Sequence, residues 1–185
     1  WDYEYTGGGR EGGLNRLSDK RVAVIGTGCT SIQCVPFLAQ SAEQLYVFQR
    51  TPASVDVRGN APTDPEWAAT LEPGWQEARR RNFDDVSAGR PVEEILVQDG
   101  WTAQAQIIGE WMGHLDLTQL AESDWVELAE LADLKQNEDI RARVDALVNE
   151  GDTRENLKAW YRQFCKRPTF NDEYLPTFNR PNVTL

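Results

Sequence analysis

A short apolar run, Arg21-Val22-Ala23-Val24-Ile25, leads directly into Gly26-Thr27-Gly28-Cys29-Thr30-Ser31, and a second apolar run, Leu45-Tyr46-Val47-Phe48-Gln49, follows a helix-compatible stretch, Thr30 to Gln40. This order predicts a strand, a tight glycine turn, a helix and a second strand, the opening unit of a doubly wound α/β fold. In such a unit the glycines permit the turn and let the backbone approach a pyrophosphate at the helix N-terminus. The residue closing the second strand then reads the ribose. An acid about 20 residues beyond the glycines would accept a 2′-hydroxyl and repel a 2′-phosphate. Here that place is taken by Arg50, whose guanidinium forks onto phosphate oxygens and stays charged, so the unit reads as a site for NADP rather than NAD. Two features strain the pattern. Ser31 replaces the third glycine, and Pro36 falls inside the proposed helix, where it removes a backbone bond. The bland alternative is an ordinary strand-to-helix turn with Arg50 as a solvated surface residue.

The 185 residues, 40% of them hydrophobic, suffice for one core, or for one domain with a sizeable insertion. The N-terminal Trp1-Asp2-Tyr3-Glu4-Tyr5 has neither the basic region nor the apolar stretch of a signal peptide, and no apolar run approaches a membrane span. A net charge of −11 argues against nucleic acid as a partner. It leaves room for one phosphorylated cofactor held by local cations such as Arg50, Lys166 and Arg167. Cys29, Cys34 and Cys165 show no Cys-x-x-Cys spacing and read as reduced thiols of a cytoplasmic protein. His114 has no ligand-spaced neighbours, so no metal site is expected and the residue is read as structural.

Along the chain, residues 1–20 are rich in glycine and read as a linker into the first strand. Residues 21–54 with 165–185 read as the nucleotide-binding domain, and 55–164 as an α-helical insertion without clear strands. Within it, Asp64-Pro65-Glu66 reads as an N-cap followed by proline at the first helical position. Trp125, Leu128, Leu131 and Leu134 recur at helical spacing, as do Val144, Leu147 and Val148. Asp152-Thr153-Arg154-Glu155 resembles a capping box before Leu157, Trp160, Tyr161 and Phe164. The tail Asn182-Val183-Thr184-Leu185 reads as a strand. The fold class expected is thus α/β, a Rossmann-like parallel sheet with a large α-helical insertion, and a chain with so few strands reads as an excised domain. For Lys166-Arg167-Pro168, spacing alone favours cations at a helix C-terminus with proline ending the helix.

Four segments in order resemble the NADP-binding domain of flavin-dependent Baeyer-Villiger monooxygenases. Trp1-Asp2 resembles the end of the family fingerprint, Phe-x-Gly-x-x-x-His-x-x-x-Trp-Pro/Asp. Val24 to Gln33 resembles the phosphate-binding turn, and Val47-Phe48-Gln49-Arg50-Thr51-Pro52 the second-strand motif. Lys166-Arg167-Pro168 and Phe178-Asn179-Arg180-Pro181-Asn182-Val183 resemble the return toward the flavin domain. The departures are Ser31 and the incomplete fingerprint. The resemblance implies that Gly26, Thr27, Gly28, Cys29, Thr30, Ser31 and Gln33 contact NADP(H), and that Arg50, Thr51 and Lys166 hold its 2′-phosphate. Arg167 would be the catalytic arginine, stabilising negative charge beside the ketone. FAD would be bound mainly by segments outside this sequence, residues 1–20 being the linker from that domain, and the other partners would be a small-molecule ketone and O2, with esters or lactones as products. A stand-alone NADP-binding or redox-sensing module, or a related nitrogen- or sulfur-oxidising flavin enzyme, are the alternatives. A short-chain dehydrogenase is disfavoured, because Tyr161 and Lys166 lie one residue too far apart for a Tyr-x-x-x-Lys pair.

Overall fold

The computed structural model describes residues 2–10, 12–97, 99–112 and 121–185. Trp1 and His114 lie outside them. The chain divides into two compact units, Trp1–Val57 with Asn137–Leu185, and Arg58–Gln136. Its strands are β1 (Arg21–Ile25), β2 (Gln44–Phe48), β3 (Val55–Asp56), β4 (Thr169–Phe170) and β5 (Val183–Thr184). Its α-helices are α1 (Tyr3–Thr6), α2 (Cys29–Ser41), α3 (Pro65–Ala69), α4 (Trp75–Ser87), α5 (Ala103–Met112), α6 (Glu122–Leu147), α7 (Gly151–Leu157) and α8 (Tyr174–Thr177).

In the first unit, β1, β2 and β5 form a parallel sheet in that order, with Arg21 opposite Gln44, Ile25 opposite Phe48, and Leu45 opposite Val183. The strand–turn–helix–strand unit and the tail strand therefore stand where the sequence puts them. β-branched and aromatic side chains suit these runs to a pleated surface. Period-two alternation sends Leu45 and Val47 to one face, where they are fully buried with Ile32, Val35, Leu38 and Ala39 of α2 and with Tyr174, Leu175 and Phe178. Each large side chain so buried contributes about 1.5–3 kcal/mol. α2 runs unbroken through Pro36, whose ring is buried within this core. The Asn182 side chain donates to the carbonyls of Ala39 and Ala42 (2.9 and 3.0 Å), so the residue preceding β5 also caps the C-terminal end of α2. The other face of the sheet is bare among the described residues: Ile25 is 87% exposed and Phe48 56%.

β3 and β4 pair in parallel, Val55 opposite Thr169 and Asp56 opposite Phe170, so the stretch read as free of strands contains one. Two residues carry no periodicity, and only the partner defines them. Arg143 clamps the pair, donating to the carbonyls of Val55 (3.0 Å) and Asn171 (3.1 Å). The predicted capping box is displaced: Glu150 is the N-cap of α7, accepting from the amides of Asp152 and Thr153 (3.0 and 2.6 Å). α7 ends at Leu157, which leaves Trp160, Tyr161 and Phe164 outside any helix.

The second unit is helical. Asp64 caps α3 as expected, accepting from the Glu66 amide at 2.8 Å with Pro65 in the first turn. In α4, Arg80 and Arg81 grip Glu77 and hold its carboxyl down at about 2. Along α6 the buried row is not the tryptophan–leucine series, since Leu131 and Leu134 are exposed. It runs every fourth residue through Ala132, Gln136, Ile140 and Val144 and continues to Val148 just beyond the helix. Leucine spacing at i+3 matched a helical face, but the i+4 row is the one buried, Ala132 and Gln136 within the second unit and Ile140, Val144 and Val148 within the first.

Tyr174 stacks edge-on against Phe178 (5.1 Å), and its buried hydroxyl has no hydrogen-bond partner among the described residues. Burial pushes its phenol well above the usual range. Tyr174→Phe keeps the ring and removes the unsatisfied oxygen. Urea unfolding should find the variant as stable as the parent or more stable by about 1 kcal/mol; a loss of that size would reveal a partner for the hydroxyl.

Candidate functional site

The turn after β1 is built by backbone demands. Gly26 adopts φ +96°, which a side chain would strain, and its amide donates to the Phe48 carbonyl at 2.8 Å, joining the two strand ends. Thr27 is buried and its hydroxyl donates to the Thr51 carbonyl at 3.1 Å, holding the turn against the loop after β2. Gly28 is the N-cap of α2 with φ −78°, which any residue adopts, and a Cβ placed there would meet nothing within 4 Å. Neither backbone geometry nor packing against the described residues requires glycine at that position. No side chain caps α2, so its first amides and the positive end of its dipole face the space the glycines keep open.

The opposite wall comes from the loop after β2 and from residues 161–169, stapled to each other. The Tyr161 hydroxyl donates to the Pro52 carbonyl (2.9 Å) and accepts from the Ser54 amide (3.1 Å). Gln163 donates to the Ser54 hydroxyl (2.8 Å), and Thr169 donates through its hydroxyl to the Ser54 carbonyl (2.7 Å). Phe164, at φ +63°, takes a left-handed turn uncommon outside glycine just before Lys166. The Lys166 ammonium sits 4.9 Å from the centre of the Tyr161 ring. Since α7 ends at Leu157, Lys166-Arg167 do not close a helix, and the helix-terminus reading of that pair fails.

These walls enclose an open cleft of about 640 Å³. Gly26, Thr27, Gly28, Cys29, Arg50, Thr51, Lys166 and Arg167 all line it. The lining holds three permanent or near-permanent cations and no carboxylate, in a chain of net charge −11. Arg50, Lys166 and Arg167 are exposed and make no ion pair with any described residue. Such a surface is electrostatically suited to a phosphorylated anion.

Three sequence-predicted residues lie elsewhere. Thr30 and Ser31 line a second cleft of about 510 Å³, with Lys20, Val22, Val24 and Cys34. Gln33 turns back along α2 to donate to the Cys29 carbonyl at 3.2 Å. Cys34 is half-buried, and that burial raises its thiol pKa. Conversely, Tyr161 belongs to the cleft, and sequence reasoning missed it by placing it on a helix. Its only sequence signal is an aromatic five residues before a lysine. Among the described residues no group of three or more histidine, cysteine or carboxylate side chains could hold a metal, and no helix is long and apolar enough to cross a membrane.

No protein-family profile matches the chain. Its whole length is 54% identical to Baeyer-Villiger monooxygenase ATR8 of Stachybotrys chlorohalonatus and 52% identical to neopentalenolactone D synthase of Streptomyces avermitilis. It covers 30% and 31% of those proteins, so the chain spans about three tenths of the length of the curated relatives it matches. Among solved structures, the polycyclic ketone monooxygenase of Thermothelomyces thermophila matches 99% of the chain at a TM-score of 0.81 and 42% identity, with 30% of that structure covered. A steroid monooxygenase solved with bound NADP matches 91% at a TM-score of 0.61 and 27% identity, with 33% of that structure covered. From end to end, with its parallel sheet and glycine turn, this chain is similar to one segment of the Baeyer-Villiger monooxygenases.

Proposed function

We propose that this chain is the NADP-binding part of an FAD-dependent monooxygenase that uses NADPH and O2 to convert ketones to esters or lactones. The observation that supports this most is the cleft, where a glycine turn, a helix N-terminus without a side-chain cap and three cations that make no ion pair with any described residue converge, with no carboxylate among the described lining residues. Residues 21–54 and 165–185 would form the nucleotide-binding domain, residues 55–164 the insertion, and 1–20 the connection to an FAD-binding domain. Within the insertion, 137–164 is compact with the sheet-bearing unit.

The residues fit the cofactor by charge and clearance. Gly26 to Cys29 and the first amides of α2 would cradle the pyrophosphate. Arg50, Thr51 and Lys166 would hold the 2′-phosphate, Arg50 by a two-pronged contact that lysine cannot make. NADPH supplies a hydride, and FAD held by other segments would supply the oxygen chemistry. Arg167 would stabilise negative charge developing beside the substrate carbonyl. Arginine suits that task because it stays protonated and does not surrender its proton to the reacting oxygen.

Calorimetric titration of the full-length protein tests the reading. NADPH should bind at least about tenfold more tightly than NADH, the equivalent of about 1.4 kcal/mol. Arg167→Ala should leave that preference intact and lower the rate of ester formation by about 10²–10³, the usual loss when one charge-stabilising group is removed. Equal affinity for both nucleotides would overturn the cofactor assignment, and an undiminished rate would overturn the role of Arg167.

A further inference from the structure

We propose that Tyr161 is a positioning residue for cofactor choice: its hydroxyl fixes the loop that carries Arg50 and Thr51 while its ring holds Lys166, so that one side chain aligns both halves of a 2′-phosphate site. The inference rests on the NADP reading above and adds to it a residue of the cleft wall that acts on the 2′-phosphate site through the Arg50 loop and Lys166.

Arg50 and Lys166 come from distant parts of the sequence, and neither is held by an ion pair with a described residue. Two long, exposed side chains lose much rotamer freedom when they converge on one phosphate. Something must limit that freedom if the pair is to discriminate well. Tyr161 makes the connection from both sides. Toward the Arg50 loop, its hydroxyl donates to Pro52 at 2.9 Å and accepts from Ser54 at 3.1 Å, across 109 and 107 residues of sequence. Toward Lys166, its ring face receives the ammonium at 4.9 Å, within cation–π range. The ring is itself supported edge-on by Trp160 at 5.9 Å. A phenol is protonated and able to donate at neutral pH, and burial raises this one's pKa further. Phenylalanine would supply only the ring and serine only the hydroxyl. Thr27, bonded to the Thr51 carbonyl, steadies the same loop from the glycine side.

The test uses the full-length protein and two ligands that differ by one group, 2′,5′-ADP and 5′-AMP. The ratio of their dissociation constants isolates the 2′-phosphate. Tyr161→Leu should lower that ratio by roughly five- to tenfold, the size of a lost cation–π contact with a loosened loop, while 5′-AMP affinity stays within about twofold. Tyr161→Phe keeps the ring and should fall between parent and leucine variant. Equal weakening of both ligands, or an unchanged ratio in a variant with the parent's near-ultraviolet circular dichroism, overturns the proposal. If Tyr161→Leu does not fold, Tyr161→Phe decides, since a ratio equal to the parent's would show that the hydroxyl positions nothing. A parent ratio near one would instead sink the NADP reading before any variant is made.

Discussion

Replacing Arg50 by alanine should weaken NADPH binding by roughly 10- to 100-fold and leave NADH binding nearly unchanged, because hydrogen bonds to charged groups are worth about 1.5–3 kcal/mol. Arg50 lines the cleft without an ion-pair partner among the described residues, so its removal strands no buried acid and the loss reports the phosphate contact directly. Lys166→Ala should act in the same direction, and the double variant should bind both nucleotides alike. Arg50→Lys is expected to recover only part of the preference, since an ammonium replaces two fixed donors by a point charge. Calorimetry at two ionic strengths adds an independent check. Exposed cations are screened over about 8 Å at physiological salt, so the parent's preference should shrink as salt rises and the double variant should show little salt dependence. If Arg50→Ala weakened NADH as strongly as NADPH, the residue would be shaping the loop, not reading the ribose.

A second large effect is expected in the core. Leu45 is 0% exposed on β2, the middle strand of the three, with Val22 opposite it on one side and Val183 on the other. Leu45→Ala should destabilise by about 2–5 kcal/mol through lost burial and the cavity left behind. Against a typical total of about 5–15 kcal/mol that brings the fold close to its threshold. Phe37→Ala is the control: the ring is 59% exposed on α2, and its removal should change stability by no more than about 0.5 kcal/mol. Urea titrations giving equal losses for the two would mean that the sheet does not pack on α2 as described.

The parts legible in the sequence share one property: their signals are local. Val22-Ala23-Val24-Ile25 before two glycines, and Asp64 before Pro65, announce a strand–turn–helix and a helix start within a few residues, and the structure has both. The illegible parts depend on distant partners. β3 and β4 are two residues each, and nothing in Val55-Asp56 announces Thr169-Phe170. Glu150 competes with Asp152 as a cap, and a side chain long enough to reach two amides wins although aspartate is the commoner choice. The limits of the helical unit escaped notice for another reason, since α6 runs without interruption through Gln136 and Asn137, where one compact unit gives way to the other. Tyr161 was hidden because its partners, Pro52 and Ser54, lie more than a hundred residues away.

That separation bears on how the protein is made. During synthesis from the N-terminus, β1, α2 and β2 emerge together, and with them the glycine turn and Arg50. Gln44 must wait for Thr184, 140 residues later, before the third strand closes the sheet, and Pro52 waits 109 residues for Tyr161. The thermodynamic penalty is small, because each doubling of a closed loop adds only about 0.6 kcal/mol. The kinetic one is larger, since non-local pairing slows folding. A nascent chain therefore displays the glycine turn and Arg50 long before Lys166 and Arg167 exist to oppose them, and the completed cleft is among the last features of this stretch to form.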